Sequence, residues 1–203
     1  MSFHPKMPYG TGWHRSERKL AELGPEFAYT PENQARFDAI VKRYPPEHRR
    51  SAILPALHLV QAQQGYITGH AMTFVAGQIG CTPADVEDVV SYYTMFFTQP
   101  VGTYVLYVCR TLSCALCGAE RLTEALEEKL GIRAGQTDAT GTFTLLEVEC
   151  LGACDRAPVV MVNDEWHECA RPEDAAALVD ALRERGTAAL TGCHLCVERR
   201  NGQ

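Results

Sequence analysis

The sequence predicts an α+β protein: a small N-terminal helical bundle followed by a domain that mixes strands and helices. Three observations predict it. Apolar residues recur at helical spacing from about Pro31 to Tyr93. The period changes after "FFTQPVGTY", where short Val- and Tyr-rich runs bounded by turn residues begin. The order after that boundary reads β-α-β-β-β-α.

The first helix opens at Thr30, a good N-cap, with Pro31 at the first helical position. Phe37, Ile40, Val41 and Tyr44 stripe one face, and "YPPEHRR" breaks the helix. A second helix carries Ile53, Leu54, Leu57 and Val60, with Pro55 near its start. "QQGYITG" is a turn. Met72, Val75 and Ile79 stripe a third helix, stopped by Gly80. Thr82 caps a fourth, Pro83 starts it and Asp85 favours its positive end, while Val86, Val89, Val90 and Tyr93 form its apolar face. The aromatic run Tyr92, Tyr93, Phe96, Phe97 reads as interdomain core, with a partner-facing role for part of it as the alternative.

Beyond the boundary, Tyr104 to Val108 reads as a strand and Cys114 to Leu130 as one helix, closed by Gly131. "GTFTLLEVEC" is a second strand, Pro158 to Val162 a third, and Trp166 to Ala170 a fourth after the turn "NDE". Pro172 opens a last helix, with Ala175, Leu178, Val179 and Leu182 inward and Gly186 as its stop. A βαβ unit followed by a hairpin and a helix is a thioredoxin-like arrangement. The expected organisation is an extension over 1–30, a helical domain over 31–100, a thioredoxin-like domain over 101–186 and a loose tail over 187–203.

Composition excludes several classes of function. Net charge is −6 over 203 residues, with acids and bases interspersed, so no basic stripe suggests nucleic acid. No apolar run approaches the ~20 residues needed to span a bilayer. The N-terminus lacks an apolar signal-peptide core, which places the chain in the cytoplasm. In that reducing compartment, nine cysteines, an odd number, read as metal-binding or catalytic rather than as a disulfide scaffold.

The predicted fold groups the sulfurs. Strands joined through a helix run parallel, so their carboxyl ends share one sheet edge. Cys109 ends the first strand and Cys150 the second, and each is followed by a short loop with another cysteine: Cys109-x4-Cys114 and Cys150-x3-Cys154. Two thiolates on one metal at ~2.3 Å want sulfurs roughly 3.7 Å apart, a distance such loops can close. A [2Fe–2S] cluster takes two such pairs, one per iron. A rival grouping adds Cys117, since Cys109-x4-Cys114-x2-Cys117 matches plant-type ferredoxin spacing. It places Cys117 inside a helix and leaves one thiol of the second pair unused, so Cys117 reads instead as a small buried hydrophobe. Structural zinc also suits four thiolates at these spacings and stays open on chemistry alone.

Other thiols read more plainly. Cys81 and Cys169 are expected to pack, and Cys193 and Cys196, flanking His194, to be incidental tail thiols. His167 beside Cys169 does not make a Rieske-type site, which needs two histidines on one iron. Arg110 and Arg156, near the thiolates, would raise a cluster's potential, and Asp155 would lower it. Backbone N–H groups of "RTLSC" and "LGAC" are expected to face the sulfurs, with Gly152 allowing close approach.

From about Pro31 to Gly186 the chain resembles the thioredoxin-like [2Fe–2S] subunit of NADH:quinone oxidoreductase, respiratory complex I (the NuoE family). The resemblance rests on "VQAQQGYIT", "SYYTMFFTQPVGTYVLYVC", "CRTLSCALCGAE" and "TFTLLEVECLGACDRAPVVMVNDEWHE". It implies a helical domain followed by a thioredoxin-like ferredoxin domain, and Cys109, Cys114, Cys150 and Cys154 as ligands of one [2Fe–2S] cluster. It implies single-electron exchange with the FMN of a partner flavoprotein, which also binds NADH, beside a larger iron–sulfur subunit. The location implied is the inner face of the cytoplasmic membrane, held peripherally through the complex. Cys117 and the Cys193/Cys196 pair depart from the family pattern, and the resemblance leaves the first thirty residues unassigned. The alternatives are the matching subunit of a soluble NAD-linked hydrogenase or formate dehydrogenase, or a zinc-stabilised interaction module. No dinucleotide fingerprint follows a strand, so this chain alone carries no complete active site.

Overall fold

Thr30 starts the first helix as its residue type dictates. Its hydroxyl accepts the N–H of Asn33 at 3.2 Å, and α1 runs Pro31–Val41. The computed structural model describes residues 24–192, and the chain divides between Pro100 and Val101 into two compact units.

In the first unit α1 ends before the two prolines, and a 3-10 turn at Pro46–Ala52 leads into α2, Ile53–Gln64. Pro55 is the third residue of α2, where no intrahelical N–H is required. α3 spans Gly69–Ile79 behind Thr68, whose hydroxyl accepts the Ala71 N–H. α4 spans Pro83–Tyr92 behind a complete capping box: Thr82 accepts the Asp85 N–H, and the Asp85 carboxylate accepts the Thr82 N–H. Asp85 also pairs with Arg50. Phe37, Leu57, Val60, Val75 and Val86 lie in the core, as their helical spacing predicts, and Phe96 joins them from beyond α4.

The core reaches further toward the N-terminus than expected. Tyr29 is buried within it, its hydroxyl donates to the Ala56 carbonyl at 2.8 Å, and Phe27 packs alongside. The packed structure thus begins before Pro31. The aromatic run divides: Phe96 is core, but Tyr92 is 80 % exposed and Tyr93 37 %.

The second unit is a five-stranded sheet in the order β2-β3-β1-β4-β5. Its strands are β1 (Tyr104–Cys109), β2 (Gln136–Thr137), β3 (Phe143–Val148), β4 (Val160–Val162) and β5 (Glu165–His167). β1 and β3 are parallel, in register from Tyr104 opposite Phe143 to Cys109 opposite Val148, and the other pairs are antiparallel. Leu106, Val108, Phe143, Leu145, Val160 and Val162 share one core with Leu122 and Leu126 of α6 (Ala119–Leu130) and with Val179 and Leu182 of α7 (Ala175–Arg185).

Several details depart from the sequence-based expectation. The helix expected over Cys114–Leu130 is two: α5, Leu112–Leu116, and α6, separated at Cys117 and Gly118, whose φ is +94°. β2 is an additional strand, and β5 is shorter than predicted. The tail is anchored at its start: Leu190 packs on the core, and the Gly192 N–H donates to the Trp166 carbonyl at 2.8 Å. Cys193, His194 and Cys196 lie outside the described residues.

Candidate metal centre

The parallel pairing of β1 and β3 brings two chain segments to one sheet edge. Cys109 is the last residue of β1, and Cys114 is the third residue of α5 just beyond it. β3 ends at Val148, two residues before Cys150, and Cys154 opens a 3-10 turn, Cys154–Arg156. Cys109 and Cys114 are each 2 % exposed, and Leu151 and Ala157 of the second loop pack against them. Cys150 and Cys154 are exposed.

Within the second loop, the sulfurs of Cys150 and Cys154 stand 3.3 Å apart, and the Gly152 N–H donates to Cys150 Sγ at 3.3 Å. Gly152 has φ +90°, and a Cβ there would meet nothing within 4 Å. Glycine suits this left-handed conformation, and its N–H makes the close approach to sulfur expected from the sequence. In the first loop the Thr111 hydroxyl lies 3.2 Å from Cys109 Sγ. Groups of each loop also act on thiols of the other: the Leu151 N–H lowers the pKa of Cys109 and the Thr111 hydroxyl that of Cys150, while the Ser113 hydroxyl partly offsets the rise at Cys154. Cys114 receives the Val159 N–H.

These contacts split each pair of thiols. Burial opposes ionisation of Cys109, but the hydroxyl and N–H of Thr111 and the N–H of Leu151 outweigh it and hold its pKa below the ordinary thiol value. Burial, then the hydrogen bond with Cys109, pushes Cys114 up to about 11. The Gly152 N–H holds Cys150 low, and Cys150 in turn raises Cys154. Donors aimed at sulfur favour the thiolate, which is the metal-binding form.

The donor set fits a two-iron cluster. It offers soft sulfur ligands in two loop pairs, with backbone and hydroxyl donors around them. Among the described residues, no three His, Cys, Asp or Glu side chains gather as ligands of a single ion.

Several expectations are corrected. Cys117 is exposed at the end of α5, not buried inside a helix. Cys169 is exposed too, with φ +52°, while Cys81 packs against the helical core as expected. Both arginines are ion-paired: Arg110 Nε is 3.4 Å from Glu149, and Arg156 Nε is 3.6 Å from Asp155 and 3.9 Å from Glu168. Donors in "RTLSC" extend beyond the backbone groups expected there, to the hydroxyls of Thr111 and Ser113. Their signal in the sequence is a hydroxyl residue within two positions of Cys109 and one adjacent to Cys114.

The parallel β1/β3 edge thus carries two cysteine pairs on a sheet of thioredoxin-like architecture. The family model for the thioredoxin-like [2Fe–2S] ferredoxin matches residues 37–183, and the chain belongs to that family, whose cofactor is a [2Fe–2S] cluster. Within it, the chain is 43 % identical over 174 residues to an NADH-quinone oxidoreductase subunit of Mycobacterium tuberculosis, covering 83 % of this chain and 68 % of that one. It is 45 % identical over 142 residues to a subunit of the Thermus thermophilus enzyme, covering 70 % and 78 %, and 40 % identical over 158 residues to one from Rickettsia bellii, covering 77 % and 95 %. These relatives are subunits of an oxidoreductase. A solved NAD+-reducing [NiFe]-hydrogenase shares the fold at a TM-score of 0.58 and 20 % identity, over 66 % of this chain and only 23 % of that chain.

Proposed function

We propose that Cys109 and Cys114 hold one iron, and Cys150 and Cys154 the other, of the [2Fe–2S] cluster. We further propose that the chain is the electron-transfer subunit of the NADH-dehydrogenase module of complex I, exchanging single electrons with the FMN of a partner flavoprotein. The observation that carries this reading is the asymmetry of the two pairs at one sheet edge. One pair is buried at 2 % exposure, and the other lies at the surface.

A [2Fe–2S] cluster supplies one-electron chemistry. The residues of this chain hold it, shield one side and donate hydrogen bonds to its sulfur ligands. Leu151 and Ala157 exclude water from Cys109 and Cys114. The exposed side, at Cys150 and Cys154, leaves a short path to a redox group on another subunit. The FMN and NADH sites then belong to the flavoprotein, and a larger iron–sulfur subunit completes the module. Complex I is favoured over a soluble hydrogenase because identities of 40–45 % lie with quinone-linked relatives, while the hydrogenase likeness extends to fold alone.

The unit before Pro100 is assigned as the helical domain and the unit after it as the ferredoxin domain. Among the described residues no helix is long and apolar enough to cross a membrane. Attachment to the inner face of the cytoplasmic membrane would therefore run through the complex.

The test is stopped-flow mixing of the chain, the flavoprotein and NADH. The visible absorption of the chain should bleach only when all three are present, and Cys154→Ala should show no bleaching. Absence of bleaching with the intact chain would overturn the assignment.

A further inference from the structure

Cys154 opens a three-residue 3-10 turn that closes at Arg156, whose N–H donates to the Ala153 carbonyl at 3.0 Å. Cys150 and Cys154 are exposed, so burial of the thiols does not hold this loop. The segment after β5 braces it instead. The Cys169 N–H donates to the Arg156 carbonyl at 2.9 Å, and the Ala170 N–H to the Pro158 carbonyl at 2.8 Å. Beside these bonds the Arg156 guanidinium faces the Glu168 carboxylate, with Nε at 3.9 Å. The Glu168 side chain is 12 % exposed, against 79 % for Asp155, the other carboxylate paired with Arg156. A carboxylate so far out of water needs a counter-charge, and salt screens it less than an exposed one. Glu168 is itself pinned, because the Thr191 hydroxyl accepts its backbone N–H at 2.8 Å.

We propose that Glu168 is a positioning residue for the metal centre. Through Arg156 it fixes the turn that presents Cys154, and it sets how much of the guanidinium's positive charge the sulfurs feel. The proposal rests on the reading of Cys150 and Cys154 as ligands of the [2Fe–2S] cluster. Reduction adds one electron to that site, so a positive charge close by favours the reduced form and a negative one opposes it. Glu168 therefore lowers the potential and Arg156 raises it, and each masks the other.

The test is a redox titration of the cluster-loaded full chain, followed by visible absorption. Glu168→Gln keeps the side-chain length and removes the charge. It should raise the midpoint potential by about threefold in the one-electron equilibrium, or ~28 mV at ~59 mV per tenfold. Arg156→Gln should lower the potential by a similar amount, and the double variant should lie nearer the wild type than either single one. Glu168→Asp, which keeps the charge, should stay close to the wild type. Loosened packing alone would move both single variants the same way. Shifts of the same sign, or no shift, overturn the proposal while the ligand assignment stands. If Glu168→Gln does not fold, Arg156→Gln decides: a lower potential supports the proposal, and a higher or unchanged one overturns it. A wild-type chain that binds no iron, or a Cys154→Ala variant that keeps the cluster, removes the ligand assignment and the proposal with it.

Discussion

The hydroxyl of Thr111 lies 3.2 Å from the sulfur of Cys109, and the same hydroxyl helps hold the Cys150 thiol below its ordinary pKa. A donor to a ligand sulfur stabilises the more negative, reduced form of a cluster and raises its potential. Thr111→Val keeps the shape and removes the donor. It should lower the midpoint potential by roughly 40 mV, the one-electron equivalent of about 1 kcal/mol, with the cluster retained. A redox titration followed by visible absorption checks it, and an unchanged potential would remove Thr111 from the tuning of the site.

The grouping of the sulfurs predicts opposite outcomes for two cysteines. Cys154→Ala should lose the cluster, and Cys117→Ala should keep it, because Cys117 is an exposed helix-end residue. Iron content and visible absorption of the purified variants decide the matter. Loss with Cys117→Ala and retention with Cys154→Ala would restore the plant-type grouping.

Gly102 is a packing constraint on the sheet. Its N–H donates to the Thr144 hydroxyl at 2.7 Å, and a Cβ would meet backbone atoms of Phe143 at 2.7 and 2.8 Å. Backbone in a paired strand cannot swing aside as a side chain would. Gly102→Ala should therefore destabilise the chain by about 1–3 kcal/mol, read as a lower midpoint in urea with an unchanged slope.

Asp138 ties the turn before β3. Its carboxylate accepts the N–H groups of Thr142 at 2.7 Å and Phe143 at 3.1 Å, and the Thr140 hydroxyl at 2.8 Å. Desolvation alone would raise its pKa, but these bonds, with the charge of Arg183, outweigh it and hold the pKa below the usual carboxylate value. A depressed carboxylate stabilises the fold fully above the unfolded value of about 3.9, and that contribution is lost as pH falls through the folded value. Stability of Asp138→Asn should thus fall less steeply below about pH 4 than that of the wild type, as followed by urea unfolding at several pH values.

Much of this architecture is legible in the sequence because local chemistry and global fold agree. Thr30 and Thr82 start helices for the reason their residue types suggest, and the bonds are present. The two thiol pairs are legible because a strand–helix–strand unit puts two strand ends on one edge, whatever the details between them. The break at Cys117–Gly118 is hidden by an apolar period that continues unbroken into α6 through Ala119, Leu122 and Leu126, although Gly118 marks it. β2 has two residues, too few to show any period. Residue type misjudges Cys117 and Tyr92, because apolar character implies burial only where the molecule has an interior to offer. The hydroxyl donors show in the sequence only as Thr111 and Ser113 beside the first pair of thiols; that Ser113 acts on Cys154 follows from the folded loops.

The most direct test of the central claim is an electron paramagnetic resonance spectrum of the purified chain, oxidised and dithionite-reduced, with iron and zinc measured on the same sample. The account predicts two irons per chain, as a [2Fe–2S] cluster requires, and a signal that appears only on reduction. One zinc, no iron and no signal in either state would contradict it and leave the four cysteines as a structural site.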